Sequence, residues 1–283
     1  MNLSFAVPTP LDYFASLVQS DSDFALFEAA VSLAQDDYPE LDVQAVLGEF
    51  DQLLARVWRR VPADAGPLQK LKILNQFFFK DLGFGGNLND YYDPDNSFIH
   101  LLLGSRRGIP ISLAIVWLEL AQGLKLPVWG VSFPGHFLMK VKLPMGQAMI
   151  DPVSGKSLSA ESLAELLEPY RRRTGLLDAF ETPLGLYLQA ATPRDIIARM
   201  LRNLKEIYQT QRDWQRLLAV QERLVVLLPE SWSEFRDRGL AHAELGHKAQ
   251  AVADLECYLV HTDEVVDIDA IAQKVDALRS QSG

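Results

Sequence analysis

"GIPISLAIVWLELAQGLKLPVWGVSFPGHFLMKVKLPMGQAMIDP", residues 108 to 152, changes its hydrophobic period midway. From Ile111 to Leu120 it is apolar on nearly every side, and Pro110 suits a first helical turn, so this helix belongs inside a core. Beyond Gly123 and Pro127 the pattern becomes that of short strands: Val128 to Phe133, His136 to Leu143 and Gln147 to Asp151, with Pro144-Met145-Gly146 as a turn. A buried helix with a small antiparallel sheet packed on it makes an α+β domain. His136 on one strand and Asp151 on its neighbour is a pairing that can hold an imidazole for proton transfer.

On the N-terminal side, apolar residues at helical spacing predict helices over 23 to 38 and 42 to 60, the second with Asp42 as N-cap, and a third from about Leu68 to Lys80. Between that helix and the buried one lies "GFGGNLNDYYDPDNSF", Gly83 to Phe98, rich in residues that accept turn and left-handed conformations. Long polar and aromatic loops of this kind often carry function. Asn87, Asn89, Tyr91, Tyr92, Asp93 and Asn96, with Arg106 and Arg107 beyond the loop, are therefore candidate binding residues. The alternative is structural: the Asn and Asp side chains satisfy turn amides, the tyrosines cover the sheet edge, and the arginines are solvated or ion-paired.

After a helix that Ser159 can cap, Gly175, Pro183 and Gly185 punctuate the chain, and the domain boundary is expected near residue 190. The expected domains are thus 1 to 190 and 191 to 283. Within the second, "DWQRLLAVQERLVVLLP" (213 to 229) aligns with "HKAQAVADLECYLVHTD" (247 to 263) at an offset of 247 − 213 = 34 residues. That is the period of tetratricopeptide helix pairs, which must stack to bury their apolar faces, so a covering helix is expected over Asp267 to Arg279. Such arrays present grooves to proteins or peptides, with Asn203, Lys205 and Arg238 as candidate groove residues.

The 283 residues, 48% apolar and 23% charged, suffice for two modest cores. A net charge of −10 with dispersed basic residues argues against nucleic acid as a partner. The N-terminus lacks the charged start and apolar middle of a signal peptide, no run is long enough to span a bilayer, and a cytoplasmic location is expected. The single cysteine, Cys257, provides neither a disulfide framework nor a thiolate metal cage, and is expected to pack as a small apolar side chain. No metal-binding pattern and no cofactor motif is present.

The order of buried helix, strand, His136, hairpin and Asp151 resembles the transglutaminase-like core, in which a nucleophilic cysteine opens the helix. More closely, "GFGGNLNDYYDPDNSF", "RRGIPISL", "GVSFPGHFL", "IDP", "RMLRNLKEIY" and "RDRGLAHAELG" resemble the bacterial SirB-type family, a transglutaminase-like domain followed by tetratricopeptide repeats, described as an invasion-regulator or uncharacterised group. The resemblance places His136 and Asp151 on the His and acidic residue of that core, whereas the cysteine position falls on Pro110, with Ser112 the nearest hydroxyl. Three readings follow. The domain is a degenerate relative that binds a protein or peptide and regulates, a pseudoenzyme; or Ser112, His136 and Asp151 form a hydrolase or acyl-transfer triad; or the loop with His136 holds a small ligand or divalent ion. Loss of the thiol argues against catalysis, because an unassisted serine is barely ionised near neutral pH.

Overall fold

The computed structural model describes residues 8–87, 90, 92–174, 183–262 and 267–280. In chain order the helices and strands are α1 (Pro10–Val18), α2 (Leu26–Ser32), α3 (Val43–Trp58), α4 (Pro67–Asn75), β1 (Gly85–Gly86), α5 (Ile99–Ser105), β2 (Arg107–Gly108) and α6 (Pro110–Gly123). There follow β3 (Val128–Val131), β4 (Leu138–Leu143), β5 (Gly146–Ile150), β6 (Ser157–Leu158), α7 (Ala160–Thr174), α8 (Pro193–Gln211), α9 (Trp214–Leu227), α10 (Trp232–Glu244), α11 (Lys248–His261) and α12 (Ile268–Ser280). The chain folds as two compact units: one comprises 25–34 and 40–200, the other the residues up to 24, 35–39 and 201 onward, each as far as described. No helix among the described residues is long and apolar enough to cross a membrane.

In the first unit α6 is the central element, with Trp117 fully buried and its indole N–H donating to Asn75 Oδ1 at 2.9 Å. Asp42 caps α3, accepting the Ala45 amide at 3.1 Å. The Phe77-Phe78-Phe79 run continues α4 as a π turn over Gln76–Asp81, in which the Leu82 amide reaches back to the Phe77 carbonyl at 2.9 Å. The sheet runs β3-β4-β5-β6, antiparallel throughout, with Met139 opposite Ile150 and Leu143 opposite Gly146. One of its faces contributes Val131, Leu138 and Met149 to a core closed by Leu163 and Leu167 of α7. The short strands β1 and β2 pair in parallel, fixing the entry to α6. Sequence periodicity missed these two strands, β6 and α5, because elements of two to seven residues leave too few positions to show a period.

In the second unit the part of α8 from residue 201 onward and α9 through α11 follow the 34-residue repeat, and the covering helix α12 begins at Ile268. The turns repeat as well: the Asp213 amide bonds the Tyr208 carbonyl at 2.9 Å and the His247 amide bonds the His242 carbonyl at 2.9 Å. Each of these turns has a left-handed residue, Arg212 (φ 57°) and Gly246 (φ 76°) respectively. Helix α1, not foreseen from periodicity, opens with a Thr9–Asp12 capping box and Pro10, and buries Phe14 and Val18. The guanidinium of Arg223 on α9 lies 5.7 Å from the centroid of the Phe14 ring.

Gly108 marks the tightest packing at the start of α6. A methyl group there would stand 2.2 Å from Leu102 Cδ1, 2.7 Å from Ser112 Oγ and 3.2 Å from the Asn96 carbonyl oxygen. Gly108→Ala is expected to cost about 1–3 kcal/mol, the usual scale of core overpacking, read as a lowered urea midpoint. Gly104 inside α5 has nothing within 4 Å of the corresponding point. Gly104→Ala is expected to raise the midpoint, by about 0.5–1 kcal/mol of helix propensity.

Candidate functional site

His136 is positioned by the turn Phe133-Pro134-Gly135-His136. Proline sets the first corner, Gly135 takes a φ of 70°, and the His136 amide closes the turn on the Phe133 carbonyl at 3.0 Å. Asp151 leaves β5 directly after Ile150. Because Ile150 lies opposite Met139, the two ends of the hairpin bring the imidazole and the carboxylate side by side, Nε2 to Oδ1 at 3.1 Å.

The Asp151 carboxylate receives three more hydrogen bonds, from the Val153 amide at 3.2 Å and from the Ser154 amide and hydroxyl at 3.0 and 2.5 Å. Burial works to raise its pKa, but the bonds from His136, Ser154 and Val153 and the charge of His136 outweigh it and hold the carboxyl at about 2. An ionised acceptor at Nε2 requires Nε2–H, which leaves Nδ1 as the lone-pair nitrogen of the neutral ring. The pair opens onto a cavity of about 490 Å³ whose remaining walls are Val153, Leu158, Ser162, Glu165 and Leu166. Those five residues were not anticipated from the sequence. The serines of "DPVSGKSLSAES" signalled only turns and the cap of α7, and walls drawn from separate elements share no sequence spacing.

Ser112 is elsewhere in its bonding. It is the third residue of α6 and is fully buried. Its hydroxyl accepts the Ile109 amide at 3.2 Å and donates to the Asn96 carbonyl at 2.7 Å, with the Ile109 carbonyl also near at 3.1 Å. It is not among the residues lining the His136 cavity. Pro110, at the place of the nucleophile in the resembled core, is buried in the first turn and offers no attacking atom.

The loop candidates have internal partners. Asn96 is 4% exposed; its side chain accepts from Asn87 Nδ2 at 2.9 Å and donates to the Asp90 carbonyl at 2.5 Å. Asp93 caps a short turn through the Asp95 amide at 3.0 Å, and Tyr92 is exposed. The Arg106 guanidinium lies 4.8 Å from the Phe84 ring centroid, and Arg107 donates to the Gly83 carbonyl. Asn89 and Tyr91 lie outside the described residues. Among the described residues no three His, Cys, Asp or Glu side chains converge as a metal site would require. In the second unit, Lys205 bonds Glu234 at 2.8 Å and Asp237 at 2.5 Å, and Arg238 grips Asp254 through two bonds of 2.7 Å. Cys257 is partly exposed, 3.9 Å from His261 Nδ1.

Comparison with known proteins agrees with this architecture. Residues 44–202 match the model of the transglutaminase-like superfamily, and 204–281 match a tetratricopeptide repeat. This chain belongs to the transglutaminase-like superfamily. Within that superfamily it belongs with the UPF0162 proteins. The one from Xylella fastidiosa is 34% identical over 256 residues, 89% of each chain. UPF0162 protein PA3419 of Pseudomonas aeruginosa is 28% identical over 90% of this chain and 91% of its own, and UPF0162 protein YchA of Escherichia coli is 29% identical over 86% and 84%. No solved structure matches the chain.

The carboxylate of Asp151 contributes to stability through its lowered pKa. A depressed acid stabilises the fold above its unfolded value, near 3.8, and loses that contribution as the pH falls through about 2. Asp151→Asn is therefore expected to cost about 2 kcal/mol at pH 7, at 1.36 kcal/mol per pKa unit. The gap to the wild type should narrow as urea midpoints are taken from pH 7 down to pH 3.

Proposed function

We propose that this transglutaminase-like protein acts as a cytoplasmic, partner-binding regulatory factor, in line with the invasion-regulatory description of the SirB-type group it resembles. The observation that carries this reading is the bonding of Ser112: a hydroxyl occupied by Ile109 and Asn96 inside the core is not available to an acyl group. His136 and Asp151 then serve as a fixed polar floor for a protein or peptide segment, whose apolar side chain meets Val153, Leu158 and Leu166. A tetratricopeptide region supports protein partners by the same logic, since stacked helix pairs present extended side-chain surfaces.

A second reading is supported by one specific feature. Asp151 holds the His136 tautomer in the way a catalytic dyad does, which favours residual hydrolase or acyl-transfer chemistry with Ser112 as attacking group. The two readings separate with a serine-directed phosphonate. In the binding reading Ser112 stays unlabelled, and Ser112→Ala lowers stability by about 0.5–1.5 kcal/mol, the net worth of a lost hydrogen bond, since the Ile109 amide and Asn96 carbonyl also bond each other at 3.4 Å. Labelling of the wild type that Ser112→Ala abolishes would establish the triad instead. For the partner role, affinity capture with the full chain should recover a protein that Leu166→Asp, an exposed change in the cavity wall, releases. Retention of every partner by that variant and by Glu165→Lys would remove the cavity from the interaction.

A further inference from the structure

His242 lies in the last turn of α10, the first helix of the second repeat, His247 is the N-cap of α11, and their Nδ1 atoms are 3.2 Å apart. The ring centroids are 5.4 Å apart, which exceeds the nitrogen separation by 5.4 − 3.2 = 2.2 Å. That excess is about two ring radii, so each Nδ1 points along the line joining the rings. Two ligands of one tetrahedral ion, each about 2.0–2.1 Å from the metal, would aim off that line toward a common point. The arrangement is therefore that of a direct N–H···N bond. Neutral imidazole carries one N–H, so the bond requires one ring as the Nδ1–H tautomer and the other with its lone pair at Nδ1.

The surroundings of the two rings differ. His242 is 9% exposed, whereas His247 is exposed at the start of α11. Asp254 of α11 and Arg238 of α10 face His242 as a bidentate ion pair, and Glu222 of α9 lies near Arg238. Burial holds the His242 imidazolium in disfavour, and the attraction of Asp254 is opposed by the repulsion of Arg238 and His247. The same turn in the first repeat carries Tyr208 and Asp213, tied by the same backbone bond.

We infer that His242 and His247 share a proton across their Nδ1 atoms and form an acid-sensitive latch on the turn between α10 and α11. In the neutral pair His247 donates Nδ1–H and His242 accepts. A first added proton enters at the outward Nε2 of His247, makes that ring a cation and turns the bond into a charge-assisted one. A second proton has only the His242 Nδ1 lone pair to take. It leaves two N–H groups and two positive rings facing each other, and the bond breaks. Because the folded state keeps His242 neutral, the unfolded chain takes up the second proton first. Stability from this pair is present above about 6.5 and falls as the pH drops below it.

Long-range proton–nitrogen spectra of the histidine-labelled full chain between pH 8 and pH 5 test this. At pH 8 one of the two rings should be in the Nδ1–H form and the other in the Nε2–H form, and both should titrate in two linked steps. In His247→Ala the His242 ring should change to a single step. Urea midpoints should fall from pH 7 to pH 5 in the wild type, and part of that fall should vanish in His247→Ala, an exposed change, and in His242→Tyr, which copies the first repeat. If both rings are Nε2–H at pH 8 and titrate independently in the folded chain, the latch does not exist. An equal fall of the midpoint in the wild type and His247→Ala would also overturn it.

Discussion

The fold of the first unit turns on how a helix buried on all sides can begin. The first amides of α6 have no carbonyl one turn earlier, and no water reaches them, so their partners must come from the protein. Ser112 turns back onto the Ile109 amide and, with the same hydroxyl, holds the Asn96 carbonyl. Asn96 in turn ties Asn87 and the Asp90 carbonyl. Gly108 admits this convergence because it has no side chain to stand between Leu102, Ser112 and Asn96. A loop whose composition suggests a ligand site is thus, at Asn87, Asn96 and Asp93, the scaffold of a helix start.

The same constraint bears on chemistry. A nucleophile at a helix start needs a hydroxyl or thiol aimed outward toward a base, and here the first turn presents Pro110 and an inward Ser112. The His136–Asp151 pair keeps its geometry independently, because it depends on the hairpin register and on a Pro-Gly turn. Four donors on one carboxylate make the pair rigid, and its cavity sets the aliphatic Val153, Leu158 and Leu166 beside the polar Ser162 and Glu165. Retention of such a pair beside a cavity suits recognition as well as proton transfer, since both need an imidazole whose tautomer is fixed.

In the helical repeats, charge has a different use. Lys205, Glu234 and Asp237 link α8 to α10, and Arg238 with Asp254 links α10 to α11. Residues that look like groove candidates because they are polar and helical are drawn into bonds between neighbouring helices. The His242–His247 contact belongs to the same class of inter-helix polar links, but it joins two imidazoles in place of a fixed ion pair.

The sequence by itself determined the buried helix, the three strands of the hairpin sheet, the His-Asp pairing and the 34-residue repeat. Each is a local or periodic pattern: an all-apolar run, alternation broken at Pro-Gly and Pro-Met-Gly, and a fixed spacing that any packed helix pair must keep. Helix α1 had local signals as well, a Thr-Pro-Leu-Asp start followed by Leu11, Phe14, Ala15 and Val18 at helical spacing. Tertiary structure alone decided whether Ser112 faces the base or the core, because its rotamer is set by Asn96, sixteen residues away along the chain. It also decided the cavity walls and the polar partners of Lys205 and Arg238. Hydrogen bonds between distant segments depend on which surfaces meet, and no spacing within a single segment encodes that.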